Sequence, residues 1–113
     1  MKPGTACLAA SALLLSAAAQ VASAAPRQVQ LVCEAVYLPA RSTWTRSVDI
    51  RYDDRRIREV AIDGQPVYTF AVRGTVILTS QDNERIQIDT AGGSWTSDFR
   101  GLASAQGRCE RVG

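Results

Sequence analysis

The chain of 113 residues contains no histidine, and its single lysine, Lys2, lies at the N-terminus. Without histidine, Ser-His-Asp catalysis, Cys-His catalysis and histidine-ligated metal sites are excluded. If Lys2 is removed with a leader, Schiff-base chemistry and Ser-Lys dyads are excluded as well. A pair of carboxylates, as in glycosidases, is then the remaining route to catalysis.

Acidic residues that could form such a pair occur in two groups, Asp53-Asp54 and Asp82 with Glu84. Both groups lie in segments of turn composition, where acidic side chains support the backbone geometry. The sequence therefore predicts no catalytic residue and a protein that is not an enzyme, with a carboxylate hydrolase as the alternative. The same Asp82-Asn83-Glu84 segment offers oxygen ligands, but the full calcium-loop pattern is absent, so we expect neither a metal site nor a cofactor.

The first 24 residues differ in composition from the rest of the chain. An uncharged run rich in alanine and leucine extends from Leu8 to Ala19, and Ala22-Ser23-Ala24 follows, with small residues at the positions that signal peptidase reads. This order predicts a signal peptide over residues 1–24, cleaved before Ala25. Because the run is shorter than a transmembrane helix of about 20 residues, we expect a periplasmic or secreted protein without a stable membrane anchor.

The three cysteines are Cys7, Cys33 and Cys109. Cys7 precedes the apolar run, whereas a lipoprotein carries its modified cysteine at the end of that run, so we expect Cys7 to leave with the signal peptide. The other two form an even pair in an oxidising compartment, which predicts one disulfide bond, Cys33–Cys109. Such a bond helps a small domain, whose buried apolar area is limited.

From Ala25 onwards the chain carries twelve arginines and eleven acidic residues. The two signs alternate between Asp49 and Glu59, which is typical of a solvated mixed surface rather than of a nucleic-acid-binding patch. We therefore expect no nucleic-acid partner. Another protein of the cell envelope, or a host protein, is the expected kind of partner.

Apolar and polar residues alternate along most of the chain after the signal peptide, which indicates β-strands with one buried face. In the first strand this alternation points Cys33 inward, and Asp63-Gly64 between two apolar runs predicts a type I′ hairpin. The predicted strands cover residues 29–37, 44–52, 57–62, 67–72, 75–79, 85–89 and 94–102, and a short last strand holds Cys109.

These strands predict a single domain over residues 25–113 of the all-β class. It is a small antiparallel meander of about eight short strands, closed as a barrel or a sandwich, with one disulfide joining the first and last strands. Residues 103–107 are predicted as a loop and residues 111–113 as a short tail.

Two segments are candidates for contact with a partner. Arg73, Gly74 and Thr75 lie between two apolar strands; a tight turn with glycine at positive φ is the favoured interpretation, and a loop that inserts Arg73 into an acidic cleft is the alternative. Trp44 and Arg46 form the second candidate. The aromatic residues are most simply core, but a Trp44 exposed beside Arg46 would indicate a recognition patch.

The order of a signal peptide, a first strand with Cys33-Glu34, the Asp63-Gly64 hairpin and a terminal Gly-x-Cys-Glu (107–110) resembles small exported proteins of Gram-negative bacteria. In layout it also resembles the C-type lysozyme inhibitors of the MliC and PliC kind, which are small antiparallel barrels. That family inserts a Ser-Gly-x-x-Tyr loop into the lysozyme cleft, and here only Gly74 of the segment 73–77 matches. The resemblance implies the fold and carries over no inhibitory residue.

Two function classes follow from these observations. The first is a non-enzymatic binding or inhibitory module of the cell envelope, with a lysozyme-like cell-wall hydrolase as a possible target. The second is a structural or accessory envelope protein that forms a complex with another exported protein. The first requires an exposed recognition surface, and the second requires an exposed apolar patch or sheet edge.

Overall fold

The computed structural model describes residues 27–112. The predicted signal peptide, residues 1–24, and the cleavage site before Ala25 lie outside the described residues and stay predictions. The chain forms, in order, β1 (Arg27–Leu38), β2 (Ser42–Asp53), β3 (Arg56–Ile62), β4 (Gln65–Val67), β5 (Phe70–Arg73), β6 (Val76–Gln81), β7 (Glu84–Asp89), β8 (Ser94–Phe99) and β9 (Ala103–Val112). Within residues 27–112, no helix is long and apolar enough to cross a membrane.

The strands form one antiparallel sheet in the order β4-β3-β2-β1-β9-β8-β7-β6-β5, which curls into a nearly closed barrel. The first and last strands are neighbours, paired from Gln30 opposite Val112 to Leu38 opposite Ser104. Cys33 lies opposite Cys109 in this register and forms a disulfide with it. The predicted all-β meander and the disulfide between first and last strands are confirmed, with nine strands rather than about eight.

The core is the inside of the barrel, and it is filled by every second side chain of the strands. The alternation that predicts the strands places Ile86 and Ile88 inward, and both are fully buried. Trp95 is 1% exposed, so this tryptophan is core as predicted. The largest fully buried side chains are those of Trp95, Ile50, Ile62, Ile77, Ile86, Ile88, Val48, Val60 and Cys33. Burial of one such aliphatic side chain stabilises the fold by roughly 1.5–3 kcal/mol.

Two of the hairpins use the turn geometry that a right-handed strand twist favours. Asp63 and Gly64 have φ of 52° and 81°, so both adopt the left-handed conformation of the predicted type I′ turn. Asp82 and Asn83 have φ of 52° and 69° and turn in the same way. Aspartate and asparagine tolerate this conformation better than other residues with a Cβ, which explains their presence in these turns.

The segment predicted as one strand over residues 67–72 is divided at Tyr68-Thr69. Its first half, β4, pairs with β3, and its second half, β5, pairs with β6, so this stretch of chain changes its partner half way along the barrel. Thr79 Oγ1 donates to the Thr69 carbonyl oxygen at the change, over 2.7 Å. Tyr68 is 90% exposed at the break, whereas Trp95 is fully buried in the core.

The predicted loop over residues 103–107 is wrong, because these residues are the first half of β9. They are small or polar, but their backbone pairs with β1 on one side and β8 on the other. Gly107 allows this close pairing: a Cβ at this position would collide with the Glu34 carbonyl oxygen and lie 2.7 Å from Ala35 Cα. Residues 111 and 112, predicted as tail, also belong to β9.

The barrel has two ends that carry different groups. We call the end with the β1–β2 and β3–β4 turns the Trp44 end, and the opposite end, with the β2–β3 and β5–β6 turns, the Gly74 end. Trp44 lies near the start of β2 and Tyr52 near its finish. Eight residue steps separate their Cα atoms, which is about 26 Å along the strand.

Candidate binding site at the Trp44 end

A charged side chain lies inside the barrel at the Trp44 end. Arg46 stands opposite Cys33 in the β1–β2 register, in phase with the buried Val48 and Ile50, so the strand alternation turns it inward. It is only 3% exposed. A buried guanidinium requires partners for its charge and its N–H groups, because desolvation of an unpaired ion is costly.

Three side chains from different strands and turns supply these partners. Arg46 Nε donates to Asp63 Oδ2 over 2.7 Å, and Arg46 Nη1 donates to Glu84 Oε1 over 3.0 Å. Arg46 Nη1 also donates to the Tyr37 hydroxyl, which in turn donates to Glu84 Oε2. Glu84 is 4% exposed, so the Arg46–Glu84 ion pair is buried.

The two tryptophans lie against the same guanidinium. Arg46 Cζ lies 4.1 Å from the ring centroid of Trp44 and 4.7 Å from that of Trp95. Trp95 is buried, whereas Trp44 is 53% exposed, so one tryptophan belongs to the core and the other to the surface. The favoured sequence interpretation of Trp44 as core is therefore wrong, and the alternative, an exposed Trp44 beside Arg46, is what the structure contains.

Burial and hydrogen bonds within this cluster shift the pKa values of Arg46 and Tyr37. Burial lowers the pKa of Arg46, but the hydrogen bonds to Glu84 and Asp63 outweigh that effect, so the pKa lies above its ordinary value and the guanidinium stays charged. Burial, together with the hydrogen bond to Glu84, raises the pKa of Tyr37. Tyr37 is therefore a neutral donor at physiological pH.

The Asp63 side chain connects the cluster to the neighbouring hairpin. Its Oδ1 accepts from the Ser47 amide over 3.0 Å, and the Asp63 amide donates to the Ser47 carbonyl oxygen over 2.9 Å. Asp63 thus fixes the β3–β4 turn to β2 while its other oxygen binds Arg46. The result is a rigid base beneath one face of Trp44, and the ring of Tyr37 packs against the same indole with centroids 5.7 Å apart.

Sequence reasoning found Trp44 and Arg46 but missed their partners Tyr37, Asp63 and Glu84. The sequence predicts a turn at Glu84, although this residue is the first of β7 and points into the barrel. A signal for this existed, because position 84 is in phase with the inward Ile86 and Ile88. No local pattern indicates that Asp63, a typical turn residue, also binds Arg46, because their contact depends on the pairing of β2 with β3.

The other candidate segment, Arg73-Gly74-Thr75, lies at the opposite end of the barrel and does not join this cluster. Gly74 has φ of 60° in a two-residue hairpin loop. The Thr75 hydroxyl donates to Asp89 Oδ1 over 2.8 Å, and the Thr75 carbonyl oxygen accepts from the Thr90 amide over 2.8 Å. Thr75 therefore ties two turns together, and the loop is short rather than projecting.

The acidic residues that the sequence offers for catalysis form ion pairs or occupy turns. Asp53 pairs with Arg58 at 3.4 Å, while Asp54 and Asp82 occupy turns with positive φ. Glu84, offered with Asp82 as a carboxylate pair, is bound to Arg46 inside the barrel. In the part of the chain that the structure describes, no group of three or more potential ligand residues is placed to hold a metal ion.

No protein-family model matches the chain, and neither a curated protein nor a solved structure matches it. The resemblance to lysozyme inhibitors therefore rests on the order of strands and cysteines in the sequence alone.

Proposed function

We propose that the protein is a non-enzymatic binding module of the cell envelope that recognises a partner protein through its Trp44 end. The observation that carries this proposal is the half-exposed Trp44 ring, held on one face by the buried Arg46. Tryptophan, tyrosine and arginine are the residue types that dominate binding energy in protein interfaces. Here Trp44 and the partly exposed Tyr37 meet at one end of the barrel, and the buried Arg46 supports the Trp44 ring from below.

The fixed position of Trp44 favours binding because little freedom is lost when a partner covers it. Ordering a mobile side chain at an interface costs roughly 0.5–1.5 kcal/mol, and a ring already packed on Arg46 avoids most of this cost. Two further apolar side chains are exposed at the Trp44 end: Leu38 at 50% and Leu102 at 75%. Leu38 is the last residue of β1, and Leu102 lies in the turn between β8 and β9.

A lysozyme-like cell-wall hydrolase is the first partner to test, because the sequence resembles C-type lysozyme inhibitors in layout. The oxidised protein is titrated against a panel of lysozymes while hydrolysis of cell walls is followed. We expect stoichiometric inhibition of one lysozyme class, abolished by Trp44→Ala and retained by Trp44→Phe. Arg73→Ala, at the opposite end, is the matched control and retains inhibition.

The outcomes separate the candidate surfaces. Inhibition lost in Arg73→Ala and kept in Trp44→Ala would move the recognition surface to the Gly74 end. Turnover of a cell-wall substrate by the protein itself would contradict a non-enzymatic role. An absence of inhibition would remove lysozymes as partners and favour the second function class, an accessory envelope protein, for which the two sheet edges β4 and β5 are the supporting observation.

A further inference from the structure

The barrel is open along one line, at the Gly74 end. β4 covers β3 only from Val60 to Ile62, so the first part of β3, Arg56–Glu59, has no strand on its outer side. β5 pairs only with β6, so its other edge is also without a strand. We call the space between these two edges the open seam. Each edge offers four residues, about 13 Å of strand.

Backbone groups and apolar side chains face this seam. In the two-residue hairpin around Gly74, Arg73 and Val76 are the closing pair, so the amide and carbonyl of Val72 point away from β6 and towards the seam. The Val72 side chain is 44% exposed although its partner Ile77 is fully buried. Val72 and Ile57 help to line a cavity of about 340 Å³ that lies in the seam.

Among the charged side chains around the open seam that have no ion pair in the described structure, three are arginines and two, Asp54 and Asp89, are carboxylates. Arg55 and Arg56 line the cavity, and Arg73 adjoins it. None of these three has a carboxylate within 4.0 Å among residues 27–112. The nearby acidic residues are largely engaged: Asp53 pairs with Arg58, Glu59 pairs with Arg51, and Asp89 Oδ1 accepts from Thr75, Ala91 and Gly92. Asp54, in the β2–β3 turn, is the nearby carboxylate without such a partner in the described structure.

We propose that the open seam binds an extended acidic segment of a partner protein, which adds a strand between β3 and β5. Unpaired strand edges bind extended peptides through main-chain hydrogen bonds, and pockets select alternate side chains. Apolar side chains of the added strand cover Ile57 and Val72, and acidic ones pair with Arg55, Arg56 and Arg73. A second copy of this chain is disfavoured as the occupant, because the arginines of two seams would repel one another.

The test uses the full oxidised protein and a fluorescent six-residue peptide of alternating glutamate and valine, with binding followed by anisotropy. We expect saturable binding that weakens as salt is added, because exposed charges contribute to it. Two control peptides separate the contributions: one with lysine in place of glutamate, and one with alternate amides N-methylated so that strand pairing is blocked. Each should bind at least about tenfold more weakly.

Charge-reversal variants of the protein test whether the peptide binds at the open seam. Arg55→Glu with Arg73→Glu should weaken peptide binding at least about tenfold. Arg41→Glu with Arg100→Glu changes the net charge by the same amount at the Trp44 end and should leave binding unchanged. Chemical shift changes on peptide addition should fall on β3 and β5.

Several results would overturn the proposal. Equal binding of the N-methylated peptide would show charge attraction without strand addition, and equal effects of the two charge-reversal pairs would show attraction without a site. An absence of saturable binding at millimolar peptide would also reject it. Co-sedimentation with anionic phosphatidylglycerol vesicles, lost in Arg55→Glu with Arg73→Glu while the peptide fails to bind, would assign the arginines to a membrane surface instead.

Discussion

Arg46 occupies an inward position of its strand, where the strand pattern calls for an apolar residue, although it carries a charge. Its position in β2 is an inward one, where Val48 and Ile50 follow in the same phase. The guanidinium is accommodated because Glu84 and Asp63 balance its charge and Trp44 and Trp95 cover its faces. A buried ion pair of this kind is sensitive to the loss of one member, since the other is left as an uncompensated charge.

We therefore expect Arg46→Met to destabilise the fold by roughly 3–5 kcal/mol, because it leaves Glu84 buried without its cation. Arg46→Met combined with Glu84→Leu removes both charges and should recover most of this loss. Urea unfolding followed by tryptophan fluorescence measures the stability of both variants. A double variant as unstable as the single one would show that Arg46 acts through packing on the tryptophans rather than through Glu84.

Asp89, at the Gly74 end, makes a contribution to the stability of the fold that depends on pH. Hydrogen bonds from the Gly92 amide, the Thr75 hydroxyl and the Ala91 amide lower the pKa of its carboxyl below the ordinary 3.8. A lowered pKa in the folded state means that the contribution to stability is present above the ordinary pKa and is lost as pH falls below it.

Asp89→Asn should therefore be less stable than the wild type at pH 7, and the difference should shrink as pH falls below about 4. Thermal unfolding between neutral and acidic pH measures the difference. Thr75→Val, which removes one of the three donors, should show a smaller loss with the same dependence on pH. A difference between wild type and Asp89→Asn that stays constant down to pH 3 would contradict the role of the charged carboxylate.

At the scale of the elements, strand-like composition correctly predicts six segments, which become β1, β2, β3, β6, β7 and β8, and alternation correctly predicts the inward direction of Ile86, Ile88 and Cys33. It fails where pairing, rather than composition, decides the outcome. The first half of β9 is polar and small, yet it has a strand on each side. The division between β4 and β5 depends on which neighbour each half meets around the barrel, which residues 67–72 do not encode locally.

The sequence likewise predicts only the part of the candidate site that lies on one strand, because the other part depends on strand pairing. Trp44 and Arg46 stand two residues apart on one strand, so their proximity follows from the period of the strand. Their partners Tyr37, Asp63 and Glu84 come from three other parts of the chain, and only the closed sheet brings them together. The exposure of Trp44 likewise depends on its place at the end of the barrel.

The close pairing of β1 with β9 requires a residue without a Cβ at position 107. Gly107→Ala should destabilise the fold by about 1–3 kcal/mol or more, because the added Cβ meets the backbone of Glu34 and Ala35, and that backbone is held by pairing with β2 and β9. Gln106→Ala, at an exposed position of the same strand, is the matched control and should change stability little. Equal unfolding midpoints for the two variants in urea would contradict a tight backbone approach at Gly107.

At the scale of the whole molecule, the disulfide closes nearly the entire domain. Cys33 and Cys109 are separated by 76 residues, and the chain-entropy model gives about 4.5 kcal/mol for a loop of this length. Cys33→Ala with Cys109→Ala should therefore lower the free energy of unfolding by up to about 4.5 kcal/mol. Urea unfolding of the oxidised wild type, the reduced wild type and the variant measures this loss. If the reduced wild type and the variant were as stable as the oxidised wild type, the disulfide would not stabilise the fold.

The neighbouring first and last strands also allow the chain to be reconnected. Because Gln30 lies opposite Val112, both ends of the described chain emerge at the Gly74 end, within reach of a short glycine-serine linker. New termini cut between Tyr68 and Thr69 would then fall where the backbone already changes partners and the side chain of Tyr68 is in solvent. In such a circular permutant, all nine strands would follow one another in the order in which they stand around the barrel, from one edge to the other.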